Sequence, residues 1–284
     1  IACSSIAAPL FFFTPNVERI IFIDKRSLSF HWLLLWLQAC TTFWDIIIDL
    51  RSSAISFVLL NRQRRLFKKP KKSVHQVEAL AQLLDLSFAP PPYIYIGTKH
   101  TESSKLLIAE GSPVLALGPT ANWGGKQWPA KYFVDLTKRL TGPEGCLKGA
   151  RVAVFGSENE RNMVSPLLSF LPASQCIDLL GKTDLLMAYA CLRRCNAYVG
   201  NDSGLMHLAA VSGIPTLGLF GPSPEKIYAP WGENCSWVRT PKSFHEIISA
   251  PDYSYLSQES YMSDLRVQTV EAAFVQLLER CLNA

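Results

Sequence analysis

Short apolar runs alternate with segments of helical spacing throughout the second half of this sequence. The runs predict strands at 114–117, 151–155, 176–179, 197–199 and 216–220. Between them, the spacing of the apolar residues predicts helices at 130–140, at 184–194, after 160 and after 204. Strands and helices that alternate in this way form parallel sheets with right-handed crossovers.

The first half shows the same alternation in a less regular form. Strands are predicted at 17–23 and 44–50, and helices at 28–40, 53–60 and 74–86, the last ended by prolines 90–92. A weaker polar stretch, 97–112, separates the halves as a linker. We therefore predict an α/β protein of two domains, 1–105 and 106–284, whose parallel sheets face each other across a cleft.

The composition is that of a globular protein, with 49% hydrophobic and 18% charged residues among 284. No apolar run reaches the roughly 18 residues that a membrane span requires. The apolar segment 1–13 lacks the basic leader and initiating Met of a signal peptide. Eight cysteines are scattered without a C-x-x-C pair, and Cys191 and Cys195, one helical turn apart, predict buried reduced thiols in preference to a metal site.

The most informative segment is the polar turn 200–207, which follows an apolar strand and begins a helix. Asp202 or Ser203 is placed to cap that helix. The free N–H groups of the turn and the positive end of the helix dipole suit a phosphate group. A plain capped helix is the alternative interpretation, and His207, one turn later, is as consistent with a structural histidine as with a ligand contact.

Five loops of the second half leave the carboxyl ends of predicted strands, the edge at which open α/β sheets bind ligands. They span 118–126, 156–160, 181–184, 200–203 and 221–225. Lys126 is a candidate phosphate partner or an ordinary solvated lysine. Glu160 is a candidate acceptor for ribose hydroxyls, or a residue favoured early in its helix by the dipole. Because these loops converge at one edge, we expect them to line one pocket.

Two familiar motifs are excluded by their spacing. Gly200 precedes Ser203 by three residues, where a nucleophile elbow requires two. The glycine-rich loop 118–125 matches neither a Walker A loop nor G-x-G-x-x-G. Hydrolase, ATPase and dehydrogenase chemistry therefore have little support.

Several ordered motifs follow one another along the chain. They are WDIIIDLR at 44–51, GPTANWGGKQWP at 118–129, GNDSGLMHLAA at 200–210, GIPT at 213–216, LFGPS at 219–223 and YAPWG at 228–232. Together they resemble glycosyltransferase family 9, the heptosyltransferases. The segment 118–129 is similar to that family's donor-binding loop, and the motifs from 200 to 223 are similar to its signature. The first motif resembles its N-terminal domain less specifically.

This resemblance implies a GT-B fold of two Rossmann-like domains, with the acceptor on the N-terminal one and ADP-heptose on the C-terminal one. The last helix would pack back on the N-terminal domain. Carried over by position, Thr120, Asn122 and Lys126 would meet the diphosphate. Phosphate and sugar would be held by Asp202, Ser203, Gly204 and His207. Glu160 would bind the ribose, and the backbone around Thr183 would contact the adenine.

Inverting sugar transfer needs a base for the acceptor hydroxyl and a group that stabilises the departing diphosphate. Lys126, Ser203 and a helix N-terminus supply the second without a metal, so neither metal nor other cofactor is expected. The family's base is an aspartate in a G-x-G-D motif, which this sequence lacks. Asp24 and Asp49 do not match that pattern, and the base stays unassigned. We expect the first strand and its loop to lie upstream of Ile1.

The run 62–72 holds seven basic residues and no acidic one. It fits a phosphorylated acceptor of the lipid A–Kdo type at an anionic membrane surface. A solvated loop is the alternative, and nucleic acid is disfavoured because no aromatic residues alternate with the basic ones. The candidate acceptor and membrane contacts are Arg62, Arg64, Arg65, Lys68 and Lys69.

The leading hypothesis is a glycosyltransferase that moves heptose from ADP-heptose to the lipopolysaccharide inner core by inversion. Two alternatives stay open. One is a GT-B enzyme acting on another nucleotide sugar, or an epimerase of that architecture, and the other is a catalytically silent nucleotide-sugar-binding protein. The expected location is cytoplasmic, peripheral at the inner face of the cytoplasmic membrane.

Overall fold

The computed structural model describes residues 1–24, 30–70 and 73–283, in two compact units. The first unit is Ile1–Tyr95 and the second is Ile96–Ala284. Each unit has its own strands and helices. The predicted α/β class with parallel strands is confirmed, since every strand pair in both units is parallel.

The first unit contains two separate pairs of strands. β1 pairs with β2, and β3 pairs with β4. The elements in chain order are β1 Ala2–Cys3, a 3-10 helix Ala8–Phe11, β2 Ile21–Phe22, α1 Phe30–Ala39, β3 Trp44–Asp49, α2 Ile55–Val58, β4 Asn61–Leu66 and α3 Gln76–Leu83.

The second unit is built around a six-stranded sheet. It begins with α4 Thr98–Leu107. The strands are β5 Val114–Gly118, β6 Arg151–Val154, β7 Cys176–Asp178, β8 Ala197–Asn201, β9 Thr216–Phe220 and β10 Cys235–Arg239. The remaining helices are α5 Ala130–Thr141, α6 Arg161–Phe170, α7 Leu185–Leu192, α8 Gly204–Ser212, α9 Glu225–Tyr228, α10 Phe244–Ile248 and α11 Val267–Leu282, with 3-10 turns at Gly124–Lys126 and Glu158–Glu160.

The strand order of this sheet is β10-β9-β8-β5-β6-β7. The chain therefore starts in the middle at β5, moves outward to β7, returns to β8 beside β5, and moves outward on the other side. This is the doubly wound order of nucleotide-binding sheets. Side chains of β5, β8 and β9 are buried on both faces, which explains why these strands read as continuous apolar runs.

Helices cover the sheet and complete its core. Phe133 and Leu136 of α5 pack with Phe274 and Leu277 of α11 in one buried cluster with the strands. α11 thus buries its apolar face against α5, β9 and β10 of its own unit. The further expectation, that it packs back on the N-terminal domain, stays a prediction.

Several predictions for the first half are corrected by the structure. The strand predicted at 17–23 is reduced to β2, and the helix predicted at 53–60 is the single turn α2. The helix predicted at 28–40 is observed as α1, and its predicted start, Leu28, lies outside the described residues. The basic run does not begin as a loop, because its first part forms β4 beside β3.

The polar stretch 97–112 is not a linker. Most of it forms α4, which packs against α7 in the second unit, so the boundary lies at Tyr95 and Ile96 instead of 105/106. Its sequence gives little amphipathic signal, and contact with α7 stabilises the helix instead. Ser104, on the packed side, is 2% exposed and donates a hydrogen bond of 2.8 Å to the Thr101 carbonyl.

Candidate functional site

The centre of the six-stranded sheet contains a switch point between β5 and β8. The chain leaves β5 toward one edge of the sheet and leaves β8 toward the other. Their following loops therefore part and open a crevice at the carboxyl ends of the two strands. All five loops that the sequence places at this edge do follow the carboxyl ends of strands. The loop 119–129 and the turn 202–203 border the crevice.

Asn201 joins these two segments and was missed by the sequence analysis. Its side chain is fully buried at the end of β8. Its Nδ2 donates to the Pro119 carbonyl at 2.8 Å, and its Oδ1 accepts from the Trp128 backbone N–H at 3.0 Å. The side-chain amide of Asn201 thus binds both ends of the glycine-rich loop to the neighbouring strand β8. The signal in the sequence was an asparagine between the apolar strand and Asp202.

Lys126 and Asp202 form an ion pair at the crevice. Lys126 lies in the 3-10 turn of the loop, Asp202 follows β8, and Nζ stands 2.7 Å from Oδ2. The Asp202 side chain is 8% exposed and that of Lys126 is 25% exposed. Because both side chains are largely shielded from solvent, the attraction between them is screened less than in a surface pair. The sequence predicted both residues for this pocket but not their contact with each other.

Close packing explains the glycines of the loop. A Cβ at Gly124 would stand 2.7 Å from the Gln258 carbonyl oxygen, and one at Gly125 would stand 2.6 Å from the Trp123 ring. The Tyr261 backbone N–H also donates to the Gly125 carbonyl at 3.1 Å. The loop is therefore held by the segment before α11, which places Lys126 reproducibly.

The start of α8 differs from the prediction that Asp202 or Ser203 caps it. Ser203 occupies the N-cap position with extended backbone, yet no side chain makes the cap hydrogen bond. Asp202 is engaged by Lys126 instead. A Cβ at Gly204 would meet no atom within 4 Å, so space is open above the first turn. The N–H groups of that turn are available to an anion, and His207 lies exposed one turn further along.

Thr120 and Glu160 come together beside Gly156. A Cβ at Gly156 would lie 3.4 Å from Thr120 Oγ1 and 3.2 Å from Glu160 Oε2. Glu160 Oε2 accepts from the backbone N–H and the hydroxyl of Ser157, at 2.7 and 2.8 Å, in a capping box. Glu160 therefore caps the start of its own helix, and a ribose contact stays a prediction.

Two predicted contacts lie at the edges of this region. Asn122 is exposed in the glycine-rich loop, one residue beyond Ala121. Thr183 is half-buried in the connection from β7 to α7. Asp184 caps the start of α7 by accepting from the Met187 N–H at 2.7 Å. The Thr183 backbone is therefore held in place by the helix that follows it.

Buried polar atoms without partners concentrate at this carboxyl edge. Such an atom costs about 1–3 kcal/mol when it stays unpaired, so a cluster of them indicates a polar ligand or water. Among the described residues, those in or directly after the strands and loops of this edge are Trp123 Nε1, Tyr198 Oη, Ser203 Oγ, Ser223 Oγ and Thr240 Oγ1.

The candidate acceptor contacts divide into two groups. Arg65 pairs with Asp85, and the Arg64 guanidinium lies 4.8 Å from the centre of the Phe57 ring, so both are engaged within the unit. Arg62, Lys68 and Lys69 are exposed. Lys71 and Lys72, at the end of the run, lie outside the described residues.

The two unassigned carboxylates of the first unit both have local partners. Asp49 ends β3 and accepts from the Arg51 N–H at 2.9 Å and from the N–H and hydroxyl of Ser53 at 2.7 Å. Partial burial acts to raise the pKa of Asp49, but these hydrogen bonds outweigh it and hold that pKa below its usual range. Asp24 accepts from the N–H and hydroxyl of Ser5, each at 3.0 Å. The lowered pKa makes Asp49 a poor base.

Cys191 and Cys195 are buried thiols, as predicted. Their side chains are 0% and 6% exposed, and Cys195 Sγ donates to the Cys191 carbonyl at 3.4 Å. Burial raises the pKa of Cys191 to about 12, so it stays protonated. In the part of the chain that the structure describes, no group of three or more His, Cys, Asp or Glu residues is arranged to hold a metal ion. Nor, among those residues, is any helix long and apolar enough to cross a membrane.

Comparisons with known proteins agree with the motifs. The sequence model of Glycosyltransferase family 9 (heptosyltransferase) matches residues 46–248. Lipopolysaccharide heptosyltransferase 2 of Salmonella typhimurium is 30% identical over 155 residues, which are 53% of this chain and 43% of that protein. The chain therefore matches less than half the length of this curated relative.

Two solved structures share the fold. E. coli ADP-heptose lps heptosyltransferase II matches with a TM-score of 0.74 and 20% identity, over 99% of this chain and 89% of that one. The glycosyl transferase family 9 protein from Veillonella parvula matches with a TM-score of 0.80 and 20% identity, over 100% and 88%. These likenesses confirm the predicted GT-B fold class. With the family match over most of its length, the chain belongs to glycosyltransferase family 9, the heptosyltransferase family.

Proposed function

We propose that the carboxyl edge of the six-stranded sheet binds ADP-heptose and that the protein transfers its heptose to the lipopolysaccharide inner core with inversion. The observation that carries this proposal is the Lys126–Asp202 pair at the uncapped start of α8, on the switch point of the sheet. A lysine and a helix N-terminus together favour a diphosphate. Membership of the heptosyltransferase family supports heptose as the transferred sugar.

Lys126 has the leading role in this proposal. Its ammonium group carries three donors, of which Asp202 accepts one. The others are directed to the diphosphate, whose negative charge increases as the sugar departs, so Lys126 stabilises the leaving group. Asp202 would repel a phosphate. We therefore assign its carboxylate to holding Lys126 and to accepting hydrogen bonds from sugar hydroxyls.

The other donor contacts follow from position. Ser203, Gly204 and His207 would surround phosphate and sugar at the first turn of α8. Thr120 and Asn122 would add contacts from the loop opposite. The ribose would lie toward Glu160, whose Oε1 is not used by the capping box, and the adenine toward the backbone at Thr183.

The donor site is tested by calorimetric titration with ADP. Lys126→Ala should weaken ADP binding by about 10- to 100-fold, since a hydrogen bond to a charged group contributes about 1.5–3 kcal/mol. Lys131→Ala is the matched control, because Lys131 is exposed in α5 a few residues away. Equal ADP affinity in Lys126→Ala and wild type would refute the proposed site.

The nucleotide is tested by comparing ADP with UDP and GDP. The proposal requires ADP to raise the Tm most at equal concentration, because a ligand that binds the folded state more tightly stabilises it more. A preference for UDP or GDP would favour a GT-B enzyme acting on another nucleotide sugar. Tight ADP binding without turnover of ADP-heptose on a Kdo-bearing acceptor would favour a silent binding protein.

We also infer that donor binding needs no metal or other cofactor, since Lys126 and the start of α8 already offer positive charge. Exhaustive EDTA treatment should leave the ADP affinity unchanged. Loss of binding after EDTA, restored by Mg²⁺, would contradict this part of the proposal.

The acceptor is proposed to be a phosphorylated glycolipid of the lipid A–Kdo type. Exposed Lys68 and Lys69 follow β4, and exposed apolar side chains of Phe57, Val58 and Leu60 lie on the segment just before it. Basic residues beside apolar ones are typical of peripheral contact with anionic lipid. We infer that the protein works at the inner face of the cytoplasmic membrane; the general base stays unassigned.

Vesicle co-sedimentation tests that contact. Reversing both charges, Lys68→Glu with Lys69→Glu, should lower binding to anionic vesicles at least about tenfold, at roughly 1 kcal/mol for each basic residue removed. The control double variant, Lys131→Glu with Lys148→Glu, changes two exposed lysines of the second unit. An equal loss in both would show that only net charge matters.

A further inference from the structure

Tyr198 lies in β8, one of the two strands at the switch point, and is fully buried. Its hydroxyl ends over Gly118 and Gly200, which are paired neighbours in β5 and β8 near the carboxyl edge. A Cβ at Gly118 would stand 2.0 Å from Tyr198 Oη, and one at Gly200 would stand 2.2 Å from it. Both glycines therefore make room for this hydroxyl beneath the start of α8.

Among the described residues, neither Tyr198 Oη nor Ser203 Oγ makes a hydrogen bond of regular geometry, although both atoms are shielded from solvent. The two hydroxyls are still close enough to interact. Burial raises the pKa of Tyr198, hydrogen bonding by the Ser203 hydroxyl opposes that change, and the charge of Asp202 adds to it. The phenol therefore stays protonated and can donate a hydrogen bond.

Phenylalanine would fill the same volume without leaving a buried hydroxyl unpaired. A tyrosine at this position therefore indicates a hydroxyl whose bond to Ser203 becomes regular when a ligand orients that serine. The ligand must be reached through Ser203, because Tyr198 itself is enclosed. Ser203 precedes the open first turn of α8, where a Cβ at Gly204 would meet no atom.

The geometry points to Tyr198 as a positioning residue of the phosphate site. Its hydroxyl donates to Ser203 Oγ, which in turn donates its own proton to a phosphate oxygen of a nucleoside diphosphate. Hydrogen bonds in such a chain polarise and strengthen one another. This inference rests on the proposed function and adds to it a residue from inside the sheet.

Calorimetry with ADP and with adenosine tests the inference. Tyr198→Phe should weaken ADP binding by about fivefold, as expected for one hydrogen bond, and leave adenosine binding unchanged. Its Tm without ligand should be no lower than that of wild type. Tyr132→Phe is the matched control, since it removes the hydroxyl that donates to the Ser263 carbonyl at 3.3 Å, away from the crevice. A purely structural role for Tyr198 would weaken both ligands alike.

A double-mutant cycle with Ser203→Ala separates the remaining outcomes. If Tyr198 acts through Ser203, the double variant should bind ADP no more weakly than Ser203→Ala alone. Additive losses would overturn the relay, as would an unchanged ADP affinity in Tyr198→Phe. Failure of wild type to bind ADP would refute the proposed function instead, so the two failures are distinguishable.

Discussion

Each unit contains a parallel strand with an apolar run, but the two strands lie in different environments. In the second unit, β8 pairs with β5 and β9, and every one of its residues is buried. In the first unit, β3 carries the run Ile46-Ile47-Ile48 and pairs with β4 alone among the described strands. Ile46 and Ile48 remain 41% and 45% exposed. An apolar strand is therefore buried only when strands and helices cover it on all sides.

The first unit is also less completely packed than the second, since it contains a cavity of about 420 Å³. The cavity is lined mostly by apolar side chains of β1, β2, β3 and α1, including Ile21, Leu35 and Ile47. The buried cluster around it consists of Ile21, Ile23 and Leu35. In the second unit one continuous cluster joins strands of the sheet to α5, α6 and α11. Packing, more than local propensity, sets the two units apart.

Truncating one buried and one exposed aliphatic side chain should give the largest contrast between the units. Leu219 in β9 is fully buried, so Leu219→Ala should lower the free energy of unfolding by about 2–5 kcal/mol. Ile48→Ala in β3 should cost less than about 1 kcal/mol, because Ile48 is already partly hydrated. Urea unfolding combined with peptide-resolved hydrogen exchange assigns each loss to its unit. Equal losses would contradict the contrast.

The second unit was the more predictable one, for the same reason. Its strands are covered on both faces, so each appears in the sequence as a short continuous apolar run, and the strand predicted at 216–220 is observed with the same bounds as β9. The loops at the carboxyl edge follow from parallel topology. Lys126 and Asp202 could be placed in one pocket on that basis alone.

What the sequence could not predict depends on contacts between distant segments. α4 has a polar sequence and is stabilised by packing on α7. The bonds of Asn201 reach Pro119 and Trp128 from the far end of another strand. Asp202 or Ser203 was expected to cap α8, but the Asp202 carboxylate pairs with Lys126 and Ser203 makes no cap hydrogen bond. In each case tertiary packing overrides a local preference.

Enlarging one buried alanine in each unit should give opposite changes in stability. Ala39, at the end of α1, is 4% exposed and lines the cavity, so Ala39→Leu should stabilise the first unit by about 0.5–2 kcal/mol. Ala116, fully buried in β5, has no such space, and Ala116→Leu should destabilise the second unit by about 1–3 kcal/mol. Urea unfolding midpoints measure both. Destabilisation by Ala39→Leu of the same size would show that the cavity is not available to a side chain.

The smallest contrast concerns two carboxylates that end strands, Asp49 of β3 and Asp178 of β7. Both pKa values are lowered although partial burial opposes it: hydrogen bonds led by Ser53 act on Asp49, and Arg161 acts on Asp178, with Nη1 2.8 Å from Oδ2. A lowered folded pKa means that the stabilisation is present above the unfolded value of about 3.9 and is lost as the pH falls through the folded one.

The partners of these carboxylates predict different responses to salt. The hydrogen bonds to Asp49 come from uncharged groups, whereas Arg161 and Lys182 act on Asp178 by charge, which salt screens. The stability difference between wild type and Asp178→Asn at neutral pH should therefore shrink from about 0.1 M to about 1 M ionic strength, and that for Asp49→Asn should not. Both differences should vanish well below pH 3.9. Urea midpoints across pH at the two salt concentrations measure this, and equal salt sensitivity would show that charge acts alike on both.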